Sequence, residues 1–461
     1  MSRLPTLLGA ACLALASLCA RADSLESAVD AIVPKVLADT GVPSASIAIV
    51  KDGRIVLAKA YGLARVQPDV PATPSMRYKI ASNSKHLTAT AILLLAEEGK
   101  LSLDDKVARF LPDLTRAQDV TIRELLTHTS GYEDYYADDY VPLPMQHETT
   151  AQGVLDAWAK KPLDFEPGTR WQYSNTGYVA LGRIVEKASG RSLFSFLGER
   201  VFDKVGMKSP IDIDSAPWSA ADPLPYTHYA LGPLRQPPIE AKGWMSAAAE
   251  LAMTASDLAR WDIALSRGEI LKPASLKAMT TEMVLADGTG TGYGLGLFVR
   301  QTATGRRRWS HSGEAAGFLS ANVIFPDDKA AIVVLTNGEG PAFQSIEKKI
   351  EAVVMDAALD PDAETRLARA KELFAELQKG APDRATLSES LNAYLSPQAV
   401  ADFAASLGPL GTPTKFVQTS RSDRGGMEFR EYSIEAGGKS LSLSTFILPD
   451  GRFEQCLVFA D

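Results

Sequence analysis

The sequence predicts an α/β (α+β) chain: an antiparallel sheet flanked by helices, with a helical subdomain, followed by a small C-terminal α+β domain. Three observations predict it. Strand-like runs occupy two separated stretches, 44–61 and 293–336, with helical and loop text between them. Amphipathic helices bracket that region, at 24–40 and 341–357. The character changes after Pro361, where helical text gives way to alternating strands. Strands from the two ends of one region can share a sheet, and helices then cover its faces.

Taken in order, the first residues read apart from the rest. Arg3, an apolar run to Leu18 and the Ala20-Arg21-Ala22 sequence match a secretory signal peptide over residues 1–22. Its removal leaves a periplasmic or secreted chain without a membrane span. Cys12 and Cys19 leave with it, and the single Cys456 that remains can form no internal disulfide. Residues 44–61 read as a hairpin, because Asp52-Gly53 supplies a turn that needs positive φ. The stretch "YKIASNSKHLTATAILLLAEEGKL", 78–101, reads as an apolar helix ended at Gly99. From Asp104 to about Met283 helices and loops alternate, punctuated by Pro and Gly. One of those helices is "MTASDLARWDIAL", with Thr254 as its N-cap. "YGLGLFVR", "RRRWSH", "GFLSANVIF" and "AAIVVLTN" then read as strands. The expected organisation is a main domain over 23–360, a helical linker over 361–385 and an accessory domain over 386–461. Within the last part, "SESLNAYLSPQAVADFAASLG" reads as one helix.

Composition removes several function classes. A net charge of −8 over 461 residues argues against nucleic acid, whose phosphates need a basic surface. The five histidines, at 86, 128, 147, 228 and 311, show no zinc-ligand spacing, so no metal is expected. A G-x-S-x-G elbow and a G-x-x-x-x-G-K phosphate loop are both absent. No cofactor is expected.

Chemistry enters with Ser82. A serine hydroxyl is a weak nucleophile and needs a base. Residues three apart share a helix face, so Lys85 falls beside Ser82. Burial can lower a lysine pKa far enough to make it that base. The spacing alone decides nothing, because Ser345-Ile346-Glu347-Lys348 repeats it inside the helix at 341–357. Two further elements accompany Ser82: Tyr173-Ser174-Asn175 and His311-Ser312-Gly313.

Together these motifs resemble the serine β-lactamases and penicillin-binding proteins. The Tyr-x-Asn form is similar to the class C branch, which includes DD-peptidases, D-aminopeptidases and esterases. "LLTHTSGY", "FEPGTRWQYSNTGYVALGRIVEKASG", "YGLGL" and "WSHSGEAAGF" extend the resemblance across about residues 25–357. It implies a β-lactamase/DD-peptidase-like fold and an acyl-enzyme mechanism on an amide, ester or lactam bond of a small-molecule or peptide substrate. Ser82 would be the nucleophile, with Lys85 and Tyr173 sharing the base and acid roles. Asn175 would bind Lys85 and the substrate. His311 and Ser312 would line the opposite wall, and Gly313 would leave room for the substrate backbone. The backbone N–H groups of Ser82 and Glu314 would form the oxyanion hole. One departure stands out: typical β-lactamases of this branch carry lysine where His311 stands. A DD-carboxypeptidase, a β-lactamase proper and a non-catalytic wall-binding sensor are the competing readings.

Two expectations concern the loop 128–140. The carboxylates of Asp134, Asp138 and Asp139 are expected to shape substrate entry and disfavour anions. His128, at a helix end, is expected to be structural.

Overall fold

The computed structural model describes residues 25–230, 232–302, 305–359 and 363–460. The expected signal peptide lies outside them. The chain divides into two compact units, Met1–Met355 and Asp356–Asp461.

The first unit is built on a seven-stranded sheet. Its strands are β1 (Ser44–Lys51), β2 (Arg54–Val66), β3 (Asp69–Pro71), β4 (Phe298–Gln301), β5 (Arg307–Ala315), β6 (Phe318–Phe325) and β7 (Ala330–Thr336). They lie in the order β3-β2-β1-β7-β6-β5-β4, with every neighbouring pair antiparallel. The early hairpin and the late strands therefore meet at β1–β7, as the two-ended pattern predicts. Asp52 and Gly53 turn the hairpin with φ of 53° and 72°, the left-handed conformation a tight two-residue turn demands. Strands β6 and β7 are buried along their whole length. Their apolar runs, interrupted by Ser320 and Asn322 in β6 and ended by Thr336 in β7, follow from packing on both faces.

Helix α1, residues 25–40, and α5 (Ala342–Leu359) cover one face over a core that includes Val33, Ile47, Ile332 and Ile346. The other face carries a larger core with α2 (Ser84–Glu97), α3 (Asn175–Ser189) and α4 (Ala255–Ser266). Thr254 does cap α4, accepting from the Asp257 N–H at 3.1 Å. This second face carries the candidate site.

"YGLGLFVR" departs from expectation. Only its end joins a strand, because Gly296 has φ of +81° and a Cβ at Gly294 would meet the Met279 carbonyl oxygen at 2.2 Å. The glycines are there for close approach, not for pleat.

The second unit holds α6 (Ala363–Lys379), α7 (Pro397–Leu407) and a four-stranded antiparallel sheet of β8 (Lys415–Arg424), β9 (Met427–Ala436), β10 (Lys439–Ile447) and β11 (Phe453–Ala460). The segment expected as a linker contributes α6, whose Leu373, Phe374 and Leu377 share one core with Leu391, Tyr432 and Phe453. The helix expected over "SESLNAYLSPQAVADFAASLG" is two, Glu389–Tyr394 and α7. Pro397 has no N–H to continue the first, and Ser396 caps the second by accepting from Ala399 N.

Candidate active site

Ser82 sits in a short 3-10 turn, Ala81–Asn83, that runs straight into α2. Ala81 just before it has φ of +47°, a left-handed conformation that costs an L-residue roughly 1–2 kcal/mol. Its methyl packs with Met245, Ala249 and Ala315, which hold the turn in place. Strand β5 presses on the same turn. A Cβ at Gly313 would fall 2.2 Å from the Ile80 carbonyl oxygen and 2.9 Å from Ser82 N, so only glycine lets strand and turn touch.

Lys85, one turn on from Ser82 and the second residue of α2, is fully buried. Its Nζ lies 3.0 Å from Ser82 Oγ, 2.7 Å from Asn175 Oδ1 and 3.0 Å from the Ala248 carbonyl oxygen. The rings of Tyr173 and Tyr178 flank it, with centroids at 4.7 and 5.4 Å. Burial pulls its pKa down to about 7, partly offset by the negative charge of Asp134. The partners fit both charge states. An ammonium serves all three as donor. A neutral amine gives its two hydrogens to Asn175 and Ala248, whose oxygens can only accept, and turns its lone pair to the Ser82 hydroxyl.

Tyr173 lines the same cavity as Ser82. Loss of solvent raises its pKa, so the phenol stays protonated near neutral pH. Asn175 opens α3, while Ser174 caps that helix by accepting from Gly177 N at 3.2 Å. Asn175 is therefore not the cap of its helix.

His311, on β5, is buried, and both its nitrogens are engaged. Nδ1–H donates to the Ser312 carbonyl oxygen at 2.5 Å, so Nε2 accepts from the Tyr293 hydroxyl at 3.0 Å. Tyr293 in turn lies 3.3 Å from His128 Nε2, and His128 Nδ1 accepts from Ser174 N–H at 3.1 Å. Two backbone groups thus set the tautomers of a chain of three side chains that ties β5 to the start of α3. Burial and the charge of Lys85 lower the pKa of both rings, that of His311 to about 3, so both are neutral. His128 is structural, as expected, and more specific than that: it holds the segment bearing Tyr173 and Asn175. Tyr293 was not singled out from sequence, although it begins "YGLGL"; Gly296 packs against the Lys85 backbone and turns the chain beside it.

A cavity of about 640 Å³ opens onto this cluster. Ser82, Tyr173, Asn175, His311, Ser312, Gly313 and Glu314 all reach it. Asp134, Asp138 and Asp139 line it too, with Tyr135, Tyr136, Trp171, Phe298 and Phe343, and among the described residues no Lys or Arg does. Glu314 is crowded by Asp139, Glu339 and Glu240, and desolvation with that repulsion raises its pKa to about 7. Asp134 corrects the expectation for its loop. Its carboxylate is not free at the entrance but is bonded to Asn175.

The Beta-lactamase family model matches residues 29–354. The chain belongs to the Beta-lactamase family. This family member is 30% identical over 367 residues to penicillin-binding protein 4* of Bacillus subtilis (strain 168), covering 74% of this chain and 77% of that one. It is similar to the D-amino acid amidase from Ochrobactrum anthropi SV3, with a TM-score of 0.64, 25% identity and coverage of 74% and 99%. An octameric penicillin-binding protein homologue from Pyrococcus abyssi shares the fold over 93% of this chain and 98% of its own, with a TM-score of 0.64 at 23% identity. Family membership makes a serine hydrolase the supported class. Among the described residues no helix is long and apolar enough to cross a membrane.

Proposed function

We propose that this chain is an exported serine hydrolase, periplasmic or secreted, that cleaves amide or ester bonds through an acyl-enzyme on Ser82. The contact of buried Lys85 Nζ with Ser82 Oγ, its other hydrogens committed to Asn175 and Ala248, carries the reading. In it, the Lys85 amine takes the Ser82 proton as Oγ attacks the carbonyl carbon. Tyr173, held neutral, gives its proton to the leaving group and regains one from the Lys85 ammonium. Water then attacks the ester with Lys85 again as base, and Ser82 is restored. The N–H groups of Ser82 and Glu314 hold the oxyanion, a role whose loss commonly costs about 3–4 kcal/mol per donor. Asn175 orients Lys85. His311 acts through its place in the wall, because neither ring nitrogen is spare for proton transfer.

The wall chemistry favours one branch. A substrate carboxylate, as in a β-lactam or a D-alanyl-D-alanine peptide, would meet neutral His311 and the acids Asp138, Asp139 and Glu314. Uncharged esters and amides avoid that repulsion. The likeness to a D-amino acid amidase supports the same branch.

The test is turnover by residues 23–461 of a short-chain nitrophenyl ester, an amino-acid amide, a chromogenic cephalosporin and a D-alanyl-D-alanine peptide, each repeated with Ser82→Ala. The expected result is turnover of the ester or amide, lost in the variant. Preferential turnover of the cephalosporin or the peptide would move the chain to the β-lactamase or carboxypeptidase branch. Equal turnover by the variant would end the reading, and no turnover at all would favour a binding protein.

A further inference from the structure

Asn175 can orient Lys85 only if its own amide is held the right way round. A carboxamide presents an oxygen on one side and two N–H groups on the other, and the two are nearly the same size. Turned by half a rotation, Asn175 would aim N–H groups at Lys85 Nζ and oppose its ammonium. What prevents this is on the far side of Asn175. Asp134 Oδ1 accepts from Asn175 Nδ2 at 3.1 Å, from the Asn175 backbone N–H at 3.0 Å and from Tyr136 N at 3.2 Å, while Oδ2 stands 3.4 Å from Asn175 Nδ2. An ionised carboxylate can only accept, so the Asn175 amide must face it with nitrogen and face Lys85 with oxygen. The neighbouring chain is fixed to the same helix end, where Thr176 Oγ1 donates to the Glu133 carbonyl oxygen at 2.6 Å. Asp134 also stands at the N-terminus of the 15-residue α3, where a negative charge is favoured.

We propose that Asp134 is a positioning residue for the Lys85–Ser82 pair, acting by fixing the Asn175 carboxamide and by holding a negative charge behind it. The proposal rests on the reading of Lys85 as the base. It separates into two parts, orientation and charge. The orientation part needs an acceptor oxygen at Asp134, and the charge part needs the carboxylate. The other groups facing Lys85 are Tyr173 and Tyr178 from the start of α3, His128 and His311 through their neutral rings, and the Ala248 carbonyl. Asp134 itself faces Tyr135 and Tyr173, both protonated. Burial raises the Asp134 pKa, opposed by the N–H groups of Asn175 and Tyr136 and by the charge of Lys85, and in its ionised form Asp134 is the carboxylate whose charge acts on Lys85 and favours the ammonium.

Two variants divide the parts. D134N keeps an acceptor oxygen, and the N–H groups of Asn175 and Tyr136 fix which way its amide turns. D134A removes the carboxylate acceptor and the charge together, leaving the Tyr136 carbonyl oxygen, 3.5 Å from Asn175 Nδ2, as the remaining acceptor. The probe is a fluorophosphonate, which phosphonylates an activated serine without requiring the natural substrate. Its rate on residues 23–461 is read by intact mass from pH 5 to 9, with S82A alongside. Expected is a D134A plateau rate roughly tenfold to hundredfold below wild type, from a misaimed base. D134N is expected to lose less of its plateau and to shift its rate–pH midpoint to lower pH. Losing the negative charge makes Lys85 easier to deprotonate, so D134N labels at pH 6 with a larger share of its own plateau than wild type.

Wild-type plateaus and midpoints in both variants, with S82A unlabelled, would overturn the role of Asp134 and leave Lys85 as base. Equal plateau losses in D134N and D134A with no shift in midpoint would make Asp134 merely structural, which also overturns the proposal. Labelling of S82A at the wild-type rate, or no labelling of wild type, would overturn the reading of the site and the proposal with it.

Discussion

The chain contains Ser-x-x-Lys twice on the sheet-bearing unit, and the two copies differ in everything but spacing. Ser82 and Lys85 stand where a helix begins under strand β5. Ser345 and Lys348 stand within α5, with Lys348 exposed to solvent. The first lysine is buried against two tyrosine rings and held by an amide oxygen and a carbonyl oxygen. Helix geometry brings serine and lysine together in both places. What makes one lysine a base is desolvation, together with acceptors that fit either charge state. The motif supplies proximity, and the surrounding fold supplies the chemistry.

That contrast can be broken by substitution, most severely at the nucleophile. Ser82→Ala should lower turnover by on the order of 10⁴-fold or more, with Ser345→Ala equal to wild type in the same assay. Lys85→Met removes the base but keeps an apolar stem, and should cost roughly 10²–10⁴-fold in kcat/KM, whereas Lys348→Met should cost nothing measurable. Gly313→Ala forces the strand off the Ser82 turn. It should cost roughly 1–3 kcal/mol in denaturant unfolding, as overpacking does, together with a loss of turnover. The smallest effect belongs to the rim. Asp138→Asn combined with Asp139→Asn should lower KM for an anionic ester about severalfold relative to a neutral one, leaving kcat unchanged. No change in that ratio would remove the rim as a filter on charge.

Legibility in the sequence followed the range of the interaction. Strands β6 and β7 were visible because burial on both faces demands apolar runs, and the β1–β2 turn because Asp-Gly tolerates positive φ. Ser82, Lys85, Tyr173 and Asn175 were legible as a set by motif. The Ala248 carbonyl was not, since every residue has one and only the fold aims it. Asp134 read as a loop acid because nothing local links it to a helix that begins 41 residues later. His311 was legible by motif, but its lack of a free nitrogen depends on Tyr293 and on its own strand's carbonyl. The break between Glu389–Tyr394 and α7 was signalled by Ser396-Pro397 and overridden by the helical periodicity on either side.

The central claim is that Lys85 is a neutral amine at working pH. It is tested most directly by NMR titration of the lysine ε-carbon resonances, with Lys85 assigned by its loss in Lys85→Met. A signal with a midpoint near pH 7, far from that of the exposed lysines, is the predicted result, and the rate of Ser82 acylation should rise through the same midpoint. A Lys85 resonance that stays in its charged position beyond about pH 9, close to the ordinary range for lysine, would contradict the account.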